Sequence, residues 1–141
     1  MTTFESLAIA PTIVQSLKNK GYENPTPIQE KAIPVILEGK DFLGCAQTGT
    51  GKTAAFAIPI LQILCEDQHS GKSKESFQYG RERRTIKALV ITPTRELAHQ
   101  VSESFSVYGK YTGLKNTVVY GGVSQYAQTD KLKRGVDILI A

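Results

Sequence analysis

Three short runs restrict the fold more than any other feature of this chain: Asp41–Cys45 (DFLGC), Ala88–Thr92 (ALVIT) and Val136–Ile140 (VDILI). Each is nearly all apolar, so each reads as a strand covered on both faces rather than as an alternating, half-buried one. Thr117–Tyr120 (TVVY) reads as a fourth strand, halted by Gly121-Gly122. Between these runs apolar residues return at helical spacing. Ile13, Val14 and Leu17 mark a helix over 12–20, with Gly21 at its stop. Ile28 to Leu37 follows the extended entry forced by Pro25-Thr26-Pro27, and Gly51 to Leu64 is helical with a kink expected at Pro59. Leu97, Val101 and Phe105 lie on one face of a further helix, and residues 124–134 are weakly helical. Strands that alternate with helices are joined by crossovers, which give a parallel sheet with helices on its faces. The expected class is α/β.

A chain of 141 residues fits one domain with a sizeable core, and 40% hydrophobic with 21% charged residues excludes a disordered tail. Two cysteines, Cys45 and Cys65, are too few for a disulfide framework or a four-ligand zinc site. Both sit in apolar runs and are expected to be buried, in a reducing compartment. The net charge of +4 suits a polyanionic partner without deciding for one. The first five residues lack the pattern of a signal peptide, and the apolar run Ala54–Cys65, broken by Pro59 and Gln62, is too short to span a bilayer. A soluble, cytoplasmic protein without membrane contact is expected. Residues 66–84 are polar throughout and are expected to form a mobile, solvated loop.

Between the first strand and the third helix stands Ala46-Gln47-Thr48-Gly49-Thr50-Gly51-Lys52-Thr53. A turn alone needs one glycine; two glycines followed by lysine and threonine suit a loop that wraps phosphate. The glycines let backbone N–H groups turn inward, and the helix N-terminus adds partial positive charge. Lys52 is placed to reach terminal phosphates, and the Thr53 hydroxyl to help hold Mg2+. Ala46 stands where the general pattern has its first glycine. Upstream, the Gln29 amide offers a donor and an acceptor in one plane, a match for the amine and N7 of adenine. Phe4 or Tyr22 could supply a face for the base.

Phe4, GYENPTPIQ, AQTGTGKT, PTRELA and Gly121-Gly122, in this order, resemble the amino-terminal half of a DEAD-box RNA helicase. The resemblance runs from Phe4 to Ala141, is most similar to bacterial RhlE-like members, and makes Ala46 ordinary. It implies a RecA-like P-loop NTPase domain, with adenine-recognition helices over 1–39 and a partial ATP-binding domain over 40–141. It implies that Phe4 stacks on adenine, Gln29 reads its edge, and Thr26 ties this segment to the phosphate loop of Ala46 to Thr53. Pro93, Thr94 and Arg95 would meet the RNA sugar-phosphate backbone, and Gly121 and Gly122 would let the main chain approach it. The implied ligands are ATP, Mg2+ and RNA of any sequence.

The resemblance also implies parts beyond residue 141. These are the Thr-Pro-Gly-Arg continuation, the Asp-Glu-Ala-Asp strand whose carboxylates hold magnesium and activate water, the Ser-Ala-Thr motif, and a second RecA-like domain with an arginine finger. The chain is therefore expected to be an incomplete helicase domain, able to bind nucleotide and RNA but inactive alone. A non-catalytic nucleotide- or RNA-binding module is the alternative. An unrelated phosphate-loop kinase would have no use for Gln29 or PTRELA.

Overall fold

The computed structural model describes residues 2–70 and 84–141. After a single 3-10 turn at Glu5–Leu7 come α1 (Pro11–Asn19), α2 (Pro27–Leu37), α3 (Lys52–His69), β1 (Ala88–Val90), α4 (Arg95–Tyr108), β2 (Asn116–Val118), α5 (Gln125–Lys133) and β3 (Ile138–Ile140). The strands form one parallel sheet in the order β1-β3-β2, with Ala88 and Asn116 both opposite Ile138. Both crossovers are helical: α4 carries the chain from β1 to the outer strand β2, and α5 returns it to the middle.

The helix starts follow local chemistry. Pro11 and Pro27 open α1 and α2, where a missing N–H leaves nothing unpaired. Thr94 caps α4, its Oγ1 accepting from the Leu97 N–H at 3.2 Å. The face that α4 buries carries Ala98, Val101, Phe105 and Tyr108. One core cluster joins residues from before position 40, among them Phe4, Ile13, Leu17 and Ile33, to Ile58, Leu61, Phe105 and Ile140. Gln62, buried in α3, pins the two parts together by accepting from the Ala10 N–H at 2.7 Å.

Asp137 gathers the starts of all three strands. Its carbonyl accepts from the Lys87 and Ala88 N–H groups, and its own N–H donates to the Lys115 carbonyl. Its carboxylate accepts from the Lys115 N–H at 2.9 Å and from Arg84 Nη1 at 2.6 Å. The same guanidinium nitrogen donates to the Gly113 carbonyl at 3.0 Å.

Four expectations need correction. Residues 41–45 form no strand: they pair with none among the described residues, and Leu43 is 92% exposed. Cys45 in that run is consequently exposed, whereas Cys65 is buried as expected. Among the described residues β1 pairs with β3 alone, and no element covers the face that carries Leu89, which is 59% exposed, with the neighbouring Ile91 at 77%. Finally, α3 runs through Pro59 to His69, into the segment read as loop. Glu66 prolongs it by accepting from Gln62 Nε2 at 2.6 Å, one turn back. At the other end of that expected loop Arg84 is held by Asp137 and Gly113, and residues 71–83 lie outside the described residues.

Candidate nucleotide and nucleic-acid sites

Residues 46–53 turn tightly into α3. Gly49 and Gly51 adopt φ of 84° and 87°, and Thr50 Oγ1 closes the turn by donating to the Gln47 carbonyl at 2.7 Å. Lys52, the first residue of α3, sends its ammonium back into the loop, donating to the carbonyls of Ala46 at 2.5 Å and Gln47 at 2.7 Å. An ammonium has three N–H groups, so one remains for an anion. Among the described residues no side chain caps α3, whose N-terminus adds its own partial positive charge beside Lys52. Thr53 follows, half-buried, with its hydroxyl one residue from the cation.

Two side chains of α2 and its cap clasp this loop. Thr26 Oγ1 donates to the Thr50 carbonyl at 2.9 Å, and Gln29 Nε2 donates to the Gly51 carbonyl at 3.1 Å. Gln29 Oε1 meanwhile accepts from the Thr26 N–H at 3.0 Å, which completes a capping box. Gln29 is only 3% exposed, and the clasp uses one N–H and one lone pair of its amide. One of each is left, enough for a two-point contact with a planar ring edge. A Cβ at Gly51 would fall 2.4 Å from Gln29 Nε2, so the clasp as well as the backbone angle demands glycine there.

The two aromatic candidates differ in exposure. Phe4 is 1% exposed and belongs to the core, and the turn at Glu5–Leu7 that follows it packs against α2, the helix that carries Gln29. The Tyr22 ring leans on Tyr108 at 6.0 Å between centroids. Burial and the neighbouring Tyr22 hydroxyl push the Tyr108 phenol well above its ordinary range.

Motifs distant in sequence meet a second time at the C-terminal ends of β1 and β2. The exposed Pro93 and the cap Thr94 lead into Arg95, whose guanidinium carbon lies 5.6 Å from the centroid of the Tyr120 ring. Gly122, at φ 79°, packs so closely that a Cβ there would fall 2.6 Å from an Arg95 nitrogen. Gly121 beside it is exposed. Arg95 forms no ion pair among the described residues, so its charge stays available to an anion. His99, one helical turn on, joins this group with its ring edge-on to Tyr120 at 5.1 Å between centroids. The Gln128 side chain fixes Tyr120 from α5, accepting from its N–H at 2.8 Å and donating to its carbonyl at 3.1 Å. Tyr120, His99 and Gln128 were not marked by the sequence. Tyr120 adjoins the glycine pair and His99 follows Arg95 by four, which are the only signals; Gln128 gives none.

The chain is 45% identical over its whole length to the human protein named probable ATP-dependent RNA helicase DDX49, of which it covers 26%. It thus spans about a quarter of the length of the curated relatives it matches. Relatives at 41–45% identity come from an animal, a plant, a yeast and a bacterium, so no subgroup is singled out. Among solved structures, a DEAD box protein from the hyperthermophile Methanococcus jannaschii superposes with a TM-score of 0.80 at 34% identity, over 99% of this chain and 34% of that one. The RNA-helicase Prp28 from Chaetomium thermophilum, solved bound to ADP, also gives 0.80 at 31% identity, over 100% of this chain and 32% of that one. The family model described as DEAD/DEAH box helicase matches residues 26–141, and the chain belongs to that family.

Proposed function

We propose that the protein carrying this segment is an ATP-dependent RNA helicase, and that the segment supplies its grip on nucleotide and on part of the RNA. The observation that carries the reading is the clasp of Thr26 and Gln29 on the carbonyls of Thr50 and Gly51. A base reader bonded directly to the phosphate loop makes the position of each depend on the other. ATP would lie with its phosphates against Ala46–Thr53 and Lys52, and its adenine edge on the free N–H and lone pair of Gln29. A loop that admits no Cβ at Gly51 and holds a lysine ammonium inside its curve fits that ligand. The Thr53 hydroxyl is a hard oxygen donor of the kind Mg2+ takes, the remaining ligands being phosphate oxygens and water. The metal would neutralise charge on the phosphates.

RNA would meet Pro93, Thr94, Arg95, Gly121 and Gly122 through sugar and phosphate, so binding is indifferent to sequence and weakened by salt. Hydrolysis would need carboxylates and a second RecA-like domain, and the sequence of 141 residues contains no Asp-Glu-Ala-Asp. Among the described residues no helix is long and apolar enough to cross a membrane. A cytoplasmic location is part of the proposal, supported by two free cysteines, one of them exposed.

The test is base choice in the protein at its natural length. ATP should bind several-fold or more tightly than GTP, since a mismatched polar edge costs about 1–3 kcal/mol. Gln29→Glu should abolish that preference and weaken both nucleotides, because a carboxylate cannot donate to the Gly51 carbonyl. Unchanged discrimination in Gln29→Glu would remove adenine reading from this residue.

A further inference from the structure

Two open grooves meet along the outer edge of β2. One, of about 440 Å3, starts at His99, Tyr120 and Ser124, beside the contact of Arg95 with Gly122. The other, of about 590 Å3, is lined by Lys110, Lys115, Lys131 and Arg134, near the C-terminal ends of α4 and α5. Asn116, Thr117 and Lys131 line both, so the two are one trough along the edge strand. In a parallel sheet the two ends of that trough differ. Gly121-Gly122 follows the C-terminal end of β2, whereas Lys115 precedes its N-terminal end. At about 3.3 Å per residue, Lys115 lies about 17 Å from Tyr120 along the strand.

Among the described residues the walls hold no carboxylate. Arg134 is paired with Asp130 at 2.6 Å, and Lys110 lies over the Tyr111 ring at 5.4 Å. Lys115 and Lys131 form no ion pair among the described residues, and the buried Asp137 nearby is taken by Arg84. The trough therefore keeps a positive field that an anionic chain could neutralise.

We propose that this trough carries a second stretch of single-stranded RNA backbone, which leaves the Arg95–Gly122 face and follows β2 to the lysine cluster. The inference rests on reading that face as an RNA site. A cationic groove entered past an aromatic ring is how proteins track a single strand without reading its bases. A neutral peptide fits less well, because it carries no regular line of charge to set against Lys110, Lys115, Lys131 and Arg134. Moreover, Gln128 already occupies the Tyr120 N–H and carbonyl, where a peptide strand would begin to pair.

The experiment compares labelled oligouridylates of about 6 and about 15 nucleotides, binding the protein at its natural length. The longer RNA should bind more tightly. The double variant Lys115→Gln, Lys131→Gln should remove most of that gain, several-fold, and lower the salt slope by about 1.4, since each single-strand contact contributes about 0.7. Binding of the shorter RNA and the thermal midpoint should not change. Unaltered affinity and slope for the longer RNA would overturn the track. Equal losses on both lengths would overturn it too, showing only a general field. Normal RNA binding with lost binding of a poly-glutamate peptide would reassign the trough to an acidic protein. Arg95→Ala separates the underlying reading: if it leaves the shorter RNA unaffected, the RNA face itself is wrong.

Discussion

The ammonium of Lys52 is held by carbonyls of its own loop, so its charge is positioned by the fold rather than by a flexible reach. Preorganised charge is worth far more to phosphoryl transfer than charge that must be gathered. Lys52→Ala in the protein at its natural length should therefore lower ATP hydrolysis on the order of 100-fold or more, measured as phosphate release. The isolated 141 residues should show no turnover above that variant. Cys45 offers an independent reading of the same loop, because it is exposed and adjoins Ala46, whose carbonyl holds Lys52. Iodoacetamide should alkylate Cys45 quickly, and ATP should slow it. Cys65 should react much more slowly, since burial both shields its thiol and pushes its pKa up, leaving little thiolate. Peptide mapping by mass spectrometry after short labelling times separates the two. Equal rates at both positions would contradict the packing around α3.

One aspartate is bonded to the starts of all three strands. Removing the Asp137 carboxylate leaves the Lys115 N–H unpaired and a half-buried Arg84 without its counter-charge. Asp137→Ala should cost on the order of 3 kcal/mol in chemical denaturation, and Asp137→Asn less, since an amide oxygen can still accept from Lys115. A loss under about 1 kcal/mol in Asp137→Ala would mean that the ladders stand without it. The sequence hid this role, because an aspartate inside VDILI reads only as an interruption and its partner Arg84 stands 53 residues away. By contrast α4 was legible: its cap Thr94 is local, and its stripe of Val101 and Phe105 states which face is buried. The clasp was half legible. Thr26 and Gln29 carried the motif, but only the fold shows that the glutamine amide serves the phosphate loop and its own helix cap together. DFLGC failed for the opposite reason. Apolar composition says what covering a segment would gain from, not whether a neighbouring strand is there to provide it.

Apolar surface left uncovered is the main liability of the 141-residue chain taken by itself. Phe42 and Leu43 stand open ahead of the phosphate loop, while Ile86, Leu89 and Ile91 stand open along β1. β1 is also an edge, with β3 on one side and no strand on the other among the described residues. A parallel sheet is ordinarily covered on both faces, and a bare apolar edge invites pairing with another chain. Stability margins are only about 5–15 kcal/mol, small against the burial these side chains forgo. The core around α3 and α4 is nonetheless well formed, with Ile58, Leu61 and Phe105 almost wholly enclosed. The expected outcome for the isolated chain is therefore helical structure that persists while the sheet side self-associates. Circular dichroism should show helix, whereas size-exclusion chromatography with light scattering should show dimers or larger species growing with concentration. Leu89→Lys together with Ile91→Lys should shift the population toward monomer, since charge on an edge opposes pairing. Thermal melting of the unmutated chain should be broad and accompanied by scattering. A sharp, reversible, monomeric transition would show that the open face of β1 is covered in solution by something within these 141 residues.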